Sequence, residues 1–203
     1  MIGAFWNIRG LNKSGRLKCI SDFIRSNKLD FVGFQETKKE VIADSSLEAV
    51  NRNFNWNYIP ARGTAGGVLV GVRKDVLDIL NWQYFQYYAV LIVKNSLDKF
   101  IWRLIVVYGS PYEDTKVEFI NELHLVMGGW QGPTLIGEDF NLVRSQREKS
   151  NGIINFSHAS IFNDWINKWG LIEIKDPRRV FSWSNNQEHP IMATLDRILI
   201  SVD

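Results

Sequence analysis

The sequence lacks most features that staple a chain, anchor it or leave it disordered. Its 203 residues hold a single cysteine, Cys19, so neither an internal disulfide framework nor a cysteine-rich zinc site is available. The five prolines form no linker with Gly and Ser, and there is no repeat or low-complexity tract. No apolar run approaches the ~18 residues of a membrane span, so no membrane role is expected. The opening MIGAFWNIRG has the pattern of a strand rather than of a secretion signal, and an intracellular protein is expected. An excess of one charge is also missing. Lys+Arg 24 against Asp+Glu 22 gives +2, which excludes holding nucleic acid by bulk charge alone. What is there is ordinary globular material, 45% hydrophobic and 23% charged. One domain of this length buries roughly 70% of the surface of its unfolded chain.

Basic residues do cluster locally. Lys13, Arg16, Lys18, Arg25 and Lys28 face only Asp22 across residues 13–28. Arg144, Arg147 and Lys149 form a second group, and Lys175, Arg178 and Arg179 a third. Solvated faces explain such groups, and phosphate contacts are the sharper reading. Most of the eight tryptophans are expected in the core.

Short apolar runs with β-branched residues predict strands at Ile2–Ile8, Phe31–Phe34, Asn55–Ile59, Gly67–Val72, Ile101–Tyr108, Thr134–Ile136, Val180–Ser184 and Thr194–Ser201. Val76–Gln86 and Tyr88–Val93 read as a hairpin. Helical spacing marks 14–26 through Leu17, Ile20, Phe23 and Ile24, with Ser14 as N-cap. It marks 115–127 through Val117, Ile120, Leu123 and Leu125, entered by Thr115. It marks 157–169 through Ile161, Phe162, Trp165, Ile166 and Trp169, with Ser157 as cap and Gly170 as stop. A weaker helix falls near 44–52. This order suits a sheet core with helices on its outer faces. A doubly wound nucleotide fold fits poorly, since no glycine-rich loop follows the first strand.

Polar residues recur at strand ends: Asn7, Glu36, Tyr108, Asp139 with Asn141, Ser182 with Ser184, and Asp196. Each alone has an ordinary explanation as a turn former or a wet-tipped aromatic. Together they offer a carboxylate for a hard cation, a carboxylate to orient water, and neutral donors for developing negative charge. Asp139 and Asn141, two apart, share a face if the stretch is extended. Cys19 sits beside Ile20 on a helix and is expected as a small buried hydrophobe rather than a nucleophile. His124 and His158 are expected to be structural or exposed. His189, before Pro190, is a turn residue by default, although it lies seven residues before Asp196.

The ordered motifs WNIRG, QET, YGSPY, GEDFN, FSWSN and LDRIL resemble the endonuclease/exonuclease/phosphatase superfamily, over essentially the whole chain. QETK, EKSNG after GEDFN, the helix ending WGLIEI, and FSWSN before LDRIL are most similar to the endonuclease domain of plant LINE-type (non-LTR) retrotransposons. The resemblance implies a deoxyribonuclease I-like four-layer α/β-sandwich, two packed mixed sheets with helices outside. It implies Mg2+-dependent hydrolysis of DNA phosphodiesters, with Mn2+ as a substitute. Glu36 and Asn7 would hold the metal, Asn7 also touching the phosphate. Tyr108 would donate to the phosphate or leaving group. Asp139 would orient or deprotonate water, Asn141 would steady the phosphoryl oxygens, and Ser182 would lie near the phosphate. Asp196 would orient a histidine. DNA and a reverse transcriptase domain in the same polyprotein would be the partners, and the nucleus the place of action.

Two departures from the family pattern shape the expectation. The closing Ser-Asp-His motif is absent, so residues 1–203 read as a single domain lacking its last strand, with little hydrolysis expected. The family usually has Gly where Glu138 stands. If turned inward, Glu138 would alter metal affinity or raise the pKa of Asp139. The alternatives are an inactive relative that binds nucleic acid or protein, and a phosphatase of the same fold.

Overall fold

Two parallel strands, β1 (Gly3–Asn7) and β2 (Phe31–Gln35), start the fold, joined through helix α1 (Arg16–Ser26). The computed structural model describes residues 1–63, 66–177 and 180–201. Arg178, Arg179, Val202 and Asp203 lie outside the described residues. After β2 come α2 (Asp44–Asn51), β3 (Phe54–Ile59) and β4 (Val68–Arg73). The first sheet is mixed, in the order β1-β2-β4-β3, with β4 antiparallel to both neighbours. Next follow β5 (Leu77–Tyr84), β6 (Tyr88–Asn95), β7 (Ile101–Tyr108), α3 (Lys116–Gly128), β8 (Thr134–Asp139) and α4 (Phe156–Lys168). The chain ends with β9 (Ile172–Ile174), β10 (Trp183–Ser184), β11 (Met192–Ala193) and β12 (Asp196–Ile200). The second sheet runs β5-β6-β7-β8-β12-β9, and β10-β11 is a separate hairpin. The architecture is therefore an α/β-sandwich of two packed sheets with helices.

The chain divides into two compact units, Met1–Val106 and Val107–Asp203. In the first, alternation along β2 explains the layers. Val32 and Phe34 pack under Ile20 and Ile24 of α1 and Leu47 and Val50 of α2. Phe31 and Gly33 face the other way. The Phe31 ring lies 5.8 Å from that of Trp102 on β7, and a side chain at Gly33 would start 2.8 Å from Val106. The two sheets meet along this line.

The second unit has an aromatic core. Phe140, directly after β8, contacts Phe162 and Trp165 of α4 at ring distances of 5.3 and 6.2 Å. It also holds an ion-pair cluster. Glu173 of β9 takes hydrogen bonds from Arg197 of β12 (2.7 Å) and from Arg144 (2.8 Å). Burial pushes the Glu173 carboxyl up, but the Arg197 charge, the hydrogen bonds from Arg144 and Arg197, and Lys175 outweigh it, so the net shift is downward. A lowered folded pKa gives stability that is complete above the ordinary carboxylate value and lost as pH falls through the folded one. Glu173→Gln should therefore flatten the acid side of the stability profile below about pH 4, as read by chemical denaturation from pH 3 to 7.

Several details correct the sequence reading. Ser14 caps nothing, because α1 starts from Gly15 in the left-handed conformation. Cys19 is exposed, not buried. Helix α1 buries Ile20 and Ile24, and the ~100° turn per residue carries position 19 off that stripe. Helix α3 buries Phe119, Ile120, Leu123 and Met127, which leaves Val117 and Leu125 exposed. Thr115 stands at its start without capping a helix amide. Asn155, not Ser157, caps α4 by accepting from the His158 amide, while Gly170 does end that helix at φ 56°. Of the eight tryptophans only Trp102 and Trp165 are buried, Trp183 is exposed and the other five are half-buried, so most do not lie in the core. Strands β9 and β11 went unforeseen, being only three and two residues long.

Candidate functional site

In the first unit, the parallel pairing of β1 and β2 brings Asn7 opposite Gln35, one residue short of Glu36. Asn7 Nδ2 donates to Glu36 Oε1 at 3.1 Å, and Asn7 Oδ1 accepts from the Arg9 amide at 3.2 Å. Lys38 Nζ stands 3.6 Å from Glu36 Oε2. Glu36 has a φ of 52°, rare for a side chain of this kind, and the backbone around it is tied down. Gly10 donates to Glu36 O (2.7 Å), Leu11 to Thr37 O (2.9 Å) and Thr37 to Gly67 O (3.1 Å). Gly67 is required here, since its φ is +85° and a Cβ would fall 2.1 Å from Thr37 Oγ1. This fastening was invisible in the sequence, because Gly67 is thirty residues away from the loop it holds.

In the second unit, Tyr108, Asp139 and Asp196 stand at the end of β7, the end of β8 and the start of β12, three neighbouring strands. Asp139 and Asp196 are direct partners in the antiparallel register. The Gly109 amide donates to Asp139 O (2.7 Å), and Asn141 Nδ2 donates to Gly109 O (2.9 Å). A Cβ at Gly109 would lie 2.4 Å from Phe140 O, so the close approach of β7 and β8 needs glycine. Asp139 and Asn141 do not share an extended face. Asn141 has a φ of 52°, and its backbone amide donates to Asp139 Oδ1 at 2.9 Å, so the chain turns there and the Asp139 side chain braces the backbone of Asn141.

Glu138 is buried beside Asp139, not turned outward. Its φ is 103°, a conformation that glycine adopts without strain and other residues rarely take. Ser182 Oγ accepts from the amides of Leu195 and Asp196, both at 2.9 Å. Its oxygen fixes the start of β12.

The histidines stand elsewhere. His124 meets Lys168 (2.8 Å) and Trp169 (3.2 Å), His158 lies 3.0 Å from Glu113, and His189 is exposed in the loop between β10 and β11. Among the described residues no three His, Cys, Asp or Glu side chains gather as a metal cage. The Asn7–Glu36 pair offers one carboxylate and one amide. That donor set fits Mg2+, which keeps several waters and takes one or two carboxylates together with substrate phosphate oxygens.

Residues 4–203 match the model of the Endonuclease/Exonuclease/phosphatase family, and the chain belongs to it. Members of this family are hydrolases, nucleases and phosphatases among them. No curated protein matches in sequence. Among solved structures, an AP endonuclease from Archaeoglobus fulgidus superposes with TM-score 0.75 at 11% identity, over 99% of this chain and 87% of that one. An AP endonuclease from Leishmania major gives 0.74 at 14% identity, over 98% and 78%. A mannosyl-6-phosphatase from Bacteroides thetaiotaomicron gives 0.63 at 14% identity, over 99% and 85%. At these identities the likeness concerns the fold.

Proposed function

We propose that the chain is the endonuclease domain of a LINE-type retrotransposon polyprotein, residues 1–203 acting as one domain that hydrolyses DNA phosphodiesters with Mg2+. The observation that carries this reading is the Asn7–Glu36 hydrogen bond at the adjoining ends of two parallel strands, in a chain of this family. The QETK, EKSNG and LDRIL wording supports the LINE branch, with a reverse transcriptase domain as covalent neighbour and the nucleus as place of action. In this reading Glu36 and Asn7 hold Mg2+, which when bound neutralises charge on the phosphate. Asp139 orients the attacking water and takes its proton. Asn141, with one amide hydrogen on Gly109 O, offers the other to a phosphoryl oxygen. Tyr108 donates its phenol hydrogen to the phosphate or the leaving oxygen, and Ser182 its hydroxyl hydrogen. Of the three histidines, His124 meets Lys168 and Trp169, His158 lies beside Glu113, and His189 is exposed, and none is assigned a part in the reaction.

Incubating the chain with supercoiled plasmid and Mg2+, beside small phosphate monoesters, tests this. Slow nicking without phosphate release is expected, with DNA affinity that falls steeply as salt rises. Phosphate release without nicking would make the chain a phosphatase. Salt-sensitive binding with neither reaction would make it a binding relative.

A further inference from the structure

The segment after Asn141 contains no strand and only a single 3-10 turn, Gln146–Glu148, yet charged side chains outside the proposed chemistry pin it down. At their centre is Arg197, the neighbour of Asp196 on β12, whose side chain is 0% exposed. Its guanidinium lies 5.7 Å from the Phe162 ring of α4. Nη1 donates to Glu148 Oε1 (3.1 Å) and to Glu173 Oε1 (2.7 Å). Nη2 donates to Glu148 Oε2, to Thr194 O (3.0 Å) and, at 3.5 Å, to Leu142 O. Glu148 Oε2 also accepts from the Arg144 amide (2.6 Å), and the Glu148 carbonyl accepts from the Thr194 amide (2.9 Å). The Arg144 guanidinium closes the ring on Glu173 and on Asn163 of α4, both at 2.8 Å.

The attachments fall beside the proposed reacting groups. Leu142 follows Asn141, Thr194 stands two residues before Asp196, and the Phe140 amide between Asp139 and Asn141 donates to Leu195 O at 3.0 Å. Two arginines and two glutamates balance in charge. A buried ionic cluster of this kind adds little net stability over well-packed neutral groups, whereas it does define a geometry. Lysine could not replace Arg197, because an ammonium cannot span two carboxylates and two carbonyls as a planar fork does.

We propose that Arg197 is a positioning residue that, through Glu148 and Glu173, locks segment 142–149 to the start of β12 and so sets Asp139, Asn141 and Asp196 in place. The proposal rests on the hydrolytic reading of those three residues.

The test uses the charge-balanced variant Arg197→Met/Glu148→Gln, which removes one charge of each sign and leaves Arg144 paired with Glu173. It should fold with a melting temperature near that of the parent. The Asn141 and Asp196 amides should exchange with solvent about ten-fold faster or more, while amides in β6 keep their rates. Nicking should lose about 10²-fold in kcat with KM little changed. Unchanged exchange at Asn141 and Asp196, or a uniform acceleration across the chain, would overturn the proposal. If this double variant does not fold, Arg197→Lys carries the same exchange test with the same outcomes. If the parent nicks no DNA, the hydrolytic reading falls, and local exchange still decides whether Arg197 locks the segment.

Discussion

Asp139→Ala should reduce Mg2+-dependent nicking by about 10²–10⁴-fold, the usual loss when a positioned acid–base group is removed. On the proposed reading Asp139 acts on water, so metal binding should survive the substitution. Glu36→Ala should do the opposite, abolishing Mg2+ or Mn2+ binding in a titration and activity along with it. The two variants thus separate the roles. Asp139 has a second task, since its Oδ1 accepts the Asn141 amide. Asp139→Asn keeps an oxygen at that place and should preserve the turn, yet lose activity to nearly the same extent. If Asp139→Asn retained parental rates, Asp139 would be a turn residue and the water would need another base. Equal metal titrations for Glu36→Ala and the parent would remove the metal from Glu36.

Phe140→Ala should cost about 3–5 kcal/mol of folding stability, the range for emptying a buried aromatic site. Phe140 is completely buried and rests on Phe162 and Trp165, which stack on each other at 6.0 Å. For a chain of this size the loss corresponds to a melting temperature lower by about 6–20 °C. It should also lower activity in the fraction that remains folded, because Phe140 sits between Asp139 and Asn141 and anchors both to α4. Phe140→Leu keeps most of the volume and should recover most of the stability. Thermal melts beside nicking rates normalised to folded protein read both effects. A Phe140→Ala chain that melts like the parent would show that α4 does not support the turn.

Glu138 shows how a departure from pattern becomes interpretable. The sequence presents a carboxylate where the family pattern has glycine, with either orientation open. The fold turns it inward at φ 103°. An L-residue held there carries strain on the order of 1–3 kcal/mol, which the surrounding structure must offset. The acidic neighbour of Asp139 is therefore a feature of the buried end of β8 rather than of the surface.

Local signals in the sequence were sufficient for the elements and their order. The β-branched apolar run IWRLIVVY defines β7 to the residue, and the apolar stripe through Phe162, Trp165 and Ile166 defines the buried face of α4. Polar residues at strand ends also marked Asn7, Glu36, Tyr108, Asp139 and Asp196, because strand periodicity places chain ends before any contact is known. Contacts between distant residues could not be read this way. Whether Cys19 faced in or out depended on which stripe of α1 met the sheet. Whether Asn141 continued a strand depended on a hydrogen bond to Asp139 and a carbonyl at Gly109. The Arg197 cluster joins residues up to 55 positions apart, from Leu142 to Arg197, and nothing in local pattern distinguishes such an arginine from a solvated one. Periodicity and turn chemistry act over a few residues and are written in the sequence. Buried charge pairing, left-handed turns held from afar and close strand approach arise only when the folded chain brings separate segments together.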